Sequence, residues 1–384
     1  MESTVSTILI FFVLCSSSEA VLPLYLSAIS NSALTREDII LNYFNLGFAT
    51  SEIALFLASV HSLCISVRHF KRILRRLGCT RCRQPSNINE VVQAVEVELR
   101  GSGSLLGYRA MHQRLINQHG LVTSREVVRH ALRIFDPQGV EQRSRHRLRR
   151  RVYRCKGLNY LWHIDCYDKL KPFGFCIHGV IDGFSRRIIW LKVASSNNDP
   201  RVVAHHFLDY AKQLGELHVW EIYVESKNGG MVERLIQGCA DWWMEFFKDL
   251  RDSGLYCDDN IIHCKCLKFC FMDTIQSELH RAAEERNIQR IRPSSNVESP
   301  SGKPDILYFV PGLVNSQDYV IPIDLDEIEI AEDLCAVQPQ VRGCSPHFKE
   351  LAEMIMDDEG MEAAATVEEA PRLYIDLLDY IDAL

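Results

Sequence analysis

Between Tyr160 and Ser195 the sequence reads as three short strands in succession, "NYLWHIDCYD", "GFCIHGVIDG" and "RRIIWLKVAS", parted by the turn signals "KPF" and "FS". Connections this short join antiparallel neighbours, because a parallel pair needs a crossover of a dozen residues or more. A helical run, "DPRVVAHHFLDYAKQLG", follows, and "LHVWEIYVES" offers one more strand. Three antiparallel strands followed by a helix open a mixed α/β sheet. The first strand carries Asp165 among apolar and aromatic neighbours. A carboxylate there is costly unless a cation neutralises it or the strand edge faces water.

The chain before this sheet is helical in pattern. "TREDIILNYFNLGF" opens on Thr35 as an N-cap, with Asp38 three residues on in the place of a capping-box acid. "TSEIALFLASV" and "SVRHFKRILRRLG" follow, the last ending on Gly78 as a helix stop. Residues 35–78 therefore fit a helix-turn-helix-like unit. Its third helix sets Arg68, Lys71, Arg72, Arg75 and Arg76 on the polar side, which suits phosphate contacts in a major groove or a plain solvated face. A second such unit spans 88–140, with Ser124 as an N-cap. A basic linker, 143–156, contains Arg143, Arg145, Arg147, Arg149, Arg150 and Arg151 and no acid. It suits a phosphate backbone, and it also reads as a nuclear-localisation signal.

The 384 residues suggest two or three domains. The net charge of −7 hides an asymmetry: from Asp324 to Leu384 there are 17 Asp and Glu against Arg342, Lys349 and Arg372. That stretch is −14 and the remainder +7, a basic body with an acidic end. Residues 293–384 read as an acidic, partly disordered tail. Before it, Val232 to Phe271 is helical and aromatic, and "FMDTIQSELHRAAEERN" reads as a further helix. The 14 Cys show no regular framework and read as reduced thiols. Cys79 and Cys82 with His61 and His69 have the right count for tetrahedral zinc, but the His-to-Cys gap is short and the expectation is against zinc. The alternation in "HCKC", His263 to Cys266, is a weaker metal signal still. Residues 1–30 hold a signal-like apolar run that lacks a basic start. Nuclear localisation is the expectation, with secretory or membrane targeting the lesser alternative.

The stretch "LWHIDCYDKLKPFGFCIHGVIDGFSRRIIWLKV" resembles the start of an integrase core domain, as in retroviral integrases and related transposases. More closely, the chain resembles the transposon-derived integrase-core proteins found in many copies in animal genomes. "GYRAMHQRLINQHGLVTSREVVRHAL" resembles the helix-turn-helix before that core, and "ADWWMEFFKDLRDSG" onward resembles the segment after it. The resemblance implies a ribonuclease-H-like mixed sheet with flanking helices over 158–292, here truncated, behind all-α N-terminal modules. It further implies three acids holding two Mg²⁺ or Mn²⁺ ions for in-line phosphoryl displacement. Asp165 matches the first acid and Glu233 the third. The second, at the end of the fourth strand, has no counterpart; Glu225, or Glu221, is a weak substitute. Only 68 residue steps part Asp165 from Glu233, fewer than the family uses. The implied function is binding of duplex DNA through its backbone with impaired integration or strand transfer. The alternatives are an active metal-dependent recombinase or nuclease, and a non-enzymatic adaptor that binds proteins. A homo-oligomer is compatible with the family, and a small-molecule substrate is not expected.

Overall fold

The structure is a computed structural model, and it describes residues 34–79, 85–145, 155–196, 200–214, 221–224, 231–293, 300–320, 325–334, 341–364 and 366–383. Three short helices come first: α1 Arg36–Asn45, α2 Thr50–Ser59 and α3 Val67–Arg76. Thr35 and Asp38 close the expected capping box on α1, and Ser66 caps α3 through the His69 N–H. Gly78 ends α3 at φ +65°, a conformation that glycine adopts without penalty. Tyr43, Phe48 and Phe56 form the aromatic centre of this unit, and Phe70, Ile73 and Leu74 bring α3 onto it.

A second helical unit has α4 Ile88–Arg100, α5 Tyr108–Asn117, α6 Arg125–Phe135 and α7 Pro137–Arg145. Its own core is Val91, Val95, Met111, Leu115, Val128 and Leu132. Ser124 caps α6 by accepting from the Val127 N–H, as its position in the sequence suggested.

The sheet has β1 Leu161–Tyr167, β2 Cys176–Asp182, β3 Ile188–Ala194 and β4 Glu221–Val224, in the order β3-β2-β1-β4. β1, β2 and β3 are antiparallel, whereas β4 runs parallel to β1. The chain reaches β4 by way of α8 Pro200–Leu214, the crossover a parallel strand requires. This mixed α/β sheet of four described strands is consistent with a truncated ribonuclease-H-like fold. Trp162 packs edge-on against Phe207 and Tyr210, so α8 covers one face. On the other face, α9 Met231–Asp252 lies against β1 through the contact of Tyr167 with Asp241, and Phe247 stacks on Phe175.

The sequence suggests a helix through Phe271 and then another. The structure instead has one 28-residue helix, α10 Ile261–Ile288, after a break at 253–260. Gly254 at φ +79° ends α9, and the Asn260 side chain caps α10 by accepting from the Ile262 N–H. Phe269, Phe271, Ile275 and Leu279 are all buried, so nothing interrupts α10 at Phe271. Helix α10 also closes the outer edge of the sheet. Gln276 bonds the Val193 N–H and the Leu191 carbonyl, and Asn287 bonds both backbone groups of Ile188. An edge satisfied in this way offers no template to another strand.

After α11 Pro304–Phe309, the acidic segment contains α12 Leu325–Leu334, α13 Pro346–Glu359 and α14 Ala370–Ala383. Leu373, Tyr374, Leu377 and Leu378 of α14 are buried in the same core as the sheet. No helix among the described residues is long and apolar enough to cross a membrane. The signal-like stretch, residues 1–30, lies outside the described residues.

Candidate functional site: a strand carboxylate and a cationic helix

Asp165 is the fifth residue of β1 and half-buried. Its register partner on β2 is Gly179, so no neighbouring side chain crowds it from that strand. The Cys166 N–H donates to Asp165 Oδ1 at 2.9 Å. Tyr167 lies two residues on, hence on the same side of the strand. Its hydroxyl donates to Asp241 Oδ1 of α9 at 2.8 Å, and Lys169 stands 3.9 Å from the same oxygen. Asp165 therefore faces the helix that carries Glu233. Cys166 points to the opposite side, where its Sγ lies 3.1 Å from His178 Nδ1. Burial pushes that thiol up to about 11, with Asp168 and Asp165 adding to the shift, so it is not a ready nucleophile.

Glu233 is the third residue of α9, but its side chain lies outside the described residues, as does all of Glu225. The pairing of β1 with β4 ends at Ile164↔Val224, one residue short of Asp165 on one strand and of Glu225 on the other. Glu221 is opposite Leu161, four residues from Asp165 along the strand, which is roughly 13 Å. The Glu221 side chain lies outside the described residues. Among the described residues, no group of three or more His, Cys, Asp and Glu could hold a metal ion. The described side chains around Asp165 thus do not compose a two-metal site on their own.

Among the described residues, His61, His69 and Cys79 form no group that could hold a metal ion. His61 Nε2 lies 3.0 Å from the Tyr43 hydroxyl, buried Cys79 contacts the Leu77 carbonyl, His69 is exposed on α3, and Cys82 lies outside the described residues. In "HCKC", His263 approaches the Tyr374 hydroxyl, Cys264 approaches Tyr256 and Asp258, and Cys266 is buried.

The cationic helix forms as the spacing suggested. Arg68, Lys71, Arg72, Arg75 and Arg76 of α3 are all exposed, and Phe70, Ile73 and Leu74 face the core. Arg76 pairs with Glu37 at 2.9 Å. Arg143 is less available than its place in the linker suggested. It pairs with Asp136 and donates to the Ser104 carbonyl, both at 2.9 Å. The Arg145 side chain, and Arg147, Arg149, Arg150 and Arg151 entirely, lie outside the described residues. One row escaped the sequence reading. Arg125, Arg129 and Arg133 follow each other at four-residue spacing along α6, with Arg125 and Arg133 exposed and Arg129 paired with Glu126. The spacing itself was the available signal.

No curated protein matches the chain. Residues 152–218 match the family model described as the integrase core domain, which takes in β1, β2, β3 and α8. The chain therefore carries an integrase-like domain, whose matched part includes the strand that holds Asp165.

Proposed function

We propose that this is a transposon-derived, integrase-like protein that binds duplex DNA through its phosphates and performs little or no strand transfer. The observation that carries the reading is the row of five exposed cations on α3, of which Arg76 pairs with Glu37, in a chain whose residues 152–218 match the integrase core domain. Helix α3 rests its apolar side on its own unit, so its charged side is free to meet a groove. The two helical units, 35–78 and 88–140, serve as DNA-binding modules in this reading, and the linker follows the backbone into the core. A nuclear protein, able to self-associate as integrases do, fits the same picture. Weak catalysis follows from the short span between Asp165 and Glu233 and the lack of a counterpart to the second acid.

One observation favours a second reading, an active Mg²⁺- or Mn²⁺-dependent nuclease or recombinase. Glu225 directly follows the last residue of β4, the strand paired with β1. Asp165, Glu225 and Glu233 would then be the three acids.

The test uses labelled duplex DNA with the whole chain and its Asp165→Asn variant, in Mg²⁺ and in Mn²⁺, with binding followed over a salt series. Five phosphate contacts give a log–log salt slope of about −4 to −5. Salt-sensitive binding without cleavage is the expected result. Metal-dependent cleavage that disappears in Asp165→Asn establishes the second reading. Binding that is absent at every salt concentration removes both and leaves a protein-binding adaptor.

A further inference from the structure

The end of α10 concentrates positive charge that no sequence motif announced. The run "RNIQRIR" supplies Arg286, Arg290 and Arg292 without an acid. Beside Arg286 stands Arg186, on the turn between β2 and β3. That turn is firmly built: buried Asp182 accepts from the Ser185 N–H at 2.7 Å, the Ser185 hydroxyl at 2.6 Å and the Asn159 N–H at 2.9 Å. Arg186 itself donates to the Pro300 carbonyl.

Arg286 is the unusual member. It is half-buried and meets no carboxylate among the described residues. Other shielded arginines do: Arg114 meets Glu98 and Glu285, Arg187 meets Asp305, Arg281 meets Glu278, and Arg342 meets Asp273. The Arg286 Nε is shut off from water and has no hydrogen-bond partner among the described residues. Burial, with the Arg186 charge beside it, pushes the guanidinium down to about 10. The carbonyl end of α10 offsets only a small part of that cost. A shielded guanidinium beside a second one is the donor arrangement that an oxyanion satisfies, through charge-assisted bonds in the plane of the fork.

The place matters as much as the chemistry. Ile288, two residues from Arg286, packs into the same apolar cluster as Phe70, Ile73 and Leu74 of α3. The end of α10 and the apolar side of α3 therefore border one apolar cluster. Arg290 and Arg292 are exposed.

We propose that Arg286 and the neighbouring Arg186, with the exposed Arg290 and Arg292 next along the chain, bind a phosphate oxyanion supplied by the backbone of a nucleic acid that runs from α3 onto the core. The phosphate chemistry stands on these side chains alone. Only the source of the phosphate rests on the DNA-binding reading given above.

Two measurements on the full chain test this. In the first, phenylglyoxal modifies the arginines of the unaltered protein, and the Arg286 peptide is followed by mass spectrometry. Inorganic phosphate is expected to slow modification of Arg286 several-fold, and chloride at equal ionic strength is not. In the second, the triple variant Arg286→Gln, Arg290→Gln, Arg292→Gln is compared with Arg72→Gln, Arg75→Gln on α3 in duplex binding over a salt series. Loss of two or three contacts is expected to flatten the salt slope by about 2–3. Protection together with a flatter slope supports the proposal. Protection with duplex binding lowered only by the α3 variant assigns the site to free phosphate and overturns its backbone role. No protection by phosphate overturns the site itself, whether or not α3 binds DNA, and this arm needs no variant to fold.

Discussion

Arg187 and Asp305 form a fully shielded ion pair, Nε to Oδ1 2.9 Å, that ties the start of β3 to α11. The guanidinium also lies over the rings of Tyr308 and Phe309, at 5.2 and 5.1 Å. Removing one member of such a pair leaves the other as an uncompensated buried charge. Asp305→Ala is therefore expected to cost about 3–5 kcal/mol, seen as a lower urea midpoint. Replacing both residues with leucine should recover much of that loss. An Asp305→Ala protein that unfolds at the wild-type midpoint shows that the pair does not hold α11 in place.

His206 packs beside Trp190 at 5.7 Å between ring centres. Burial pushes its pKa down to about 4, and the positive charges of Lys192, His178 and His205 add to the shift. The unfolded chain then takes up the proton near pH 6.5 while the folded chain resists it. Stability is complete above about pH 6.5 and declines as the pH falls toward 4. His206→Phe keeps the ring and removes the titration. It is expected to reduce the loss between pH 7 and pH 5 by about 1–2 kcal/mol, allowing for partial exposure. Thermal melts at the two pH values decide it, since equal losses in both proteins mean that other groups carry the acid sensitivity.

The sheet was readable because β1, β2 and β3 are short, largely apolar runs with turn signals between them, and α3 because its apolar residues recur at helical spacing. The caps at Thr35, Ser66 and Ser124 rest on local hydrogen bonds, so local sequence encodes them. The helices of the acidic segment were hidden for the opposite reason. Their charge argues for disorder, and packing in the sheet's core, against α10 and α13, buries Leu373, Tyr374, Leu377 and Leu378. Arg286 was invisible too, because its significance lies in Arg186, 100 positions away in the chain. The site was legible at Asp165, where a lone acid in an apolar strand stands out. It was less legible at the acids expected beside it, Glu225 and Glu233, because a short parallel strand and a distant helix leave little local pattern.

A polar cluster joins the second helical unit to α10, beside the contact of its turn 102–105 with α9. Arg114 meets Glu98 at 3.0 Å and Glu285 of α10 at 2.8 Å, and Gln118 bonds the same Glu285. Burial raises the Glu98 carboxyl, but the bonds from His119 and Arg114 outweigh it and hold it below its usual range. For Glu285, burial prevails over Arg114 and the carboxyl is raised. Arg114→Ala leaves two shielded carboxylates facing each other. It is expected to loosen this joint by about 3–5 kcal/mol. Hydrogen exchange should quicken in α5 and in the last two turns of α10, with β1 and β2 unchanged. Uniform acceleration through the sheet instead points to global unfolding and shows that the joint is not a local one.

Tyr374 anchors the acidic end of the chain to the body. Its ring is fully buried beside Phe271, and its hydroxyl donates to the Leu255 carbonyl at 3.1 Å. Asp376 and Asp379 on the same helix point into solvent. The apolar side of α14, not its charge, therefore fixes it to α10. Tyr374→Ala is expected to cost about 3–5 kcal/mol by the cavity it leaves and by the unpaired Leu255 carbonyl. Asp376→Lys with Asp379→Lys should stay within about 0.5 kcal/mol of wild type for each change. Denaturant midpoints for the two variants separate the causes. If the charge reversal destabilises the chain as much as the loss of Tyr374, the acidic helix is held by long-range attraction to the basic body rather than by packing.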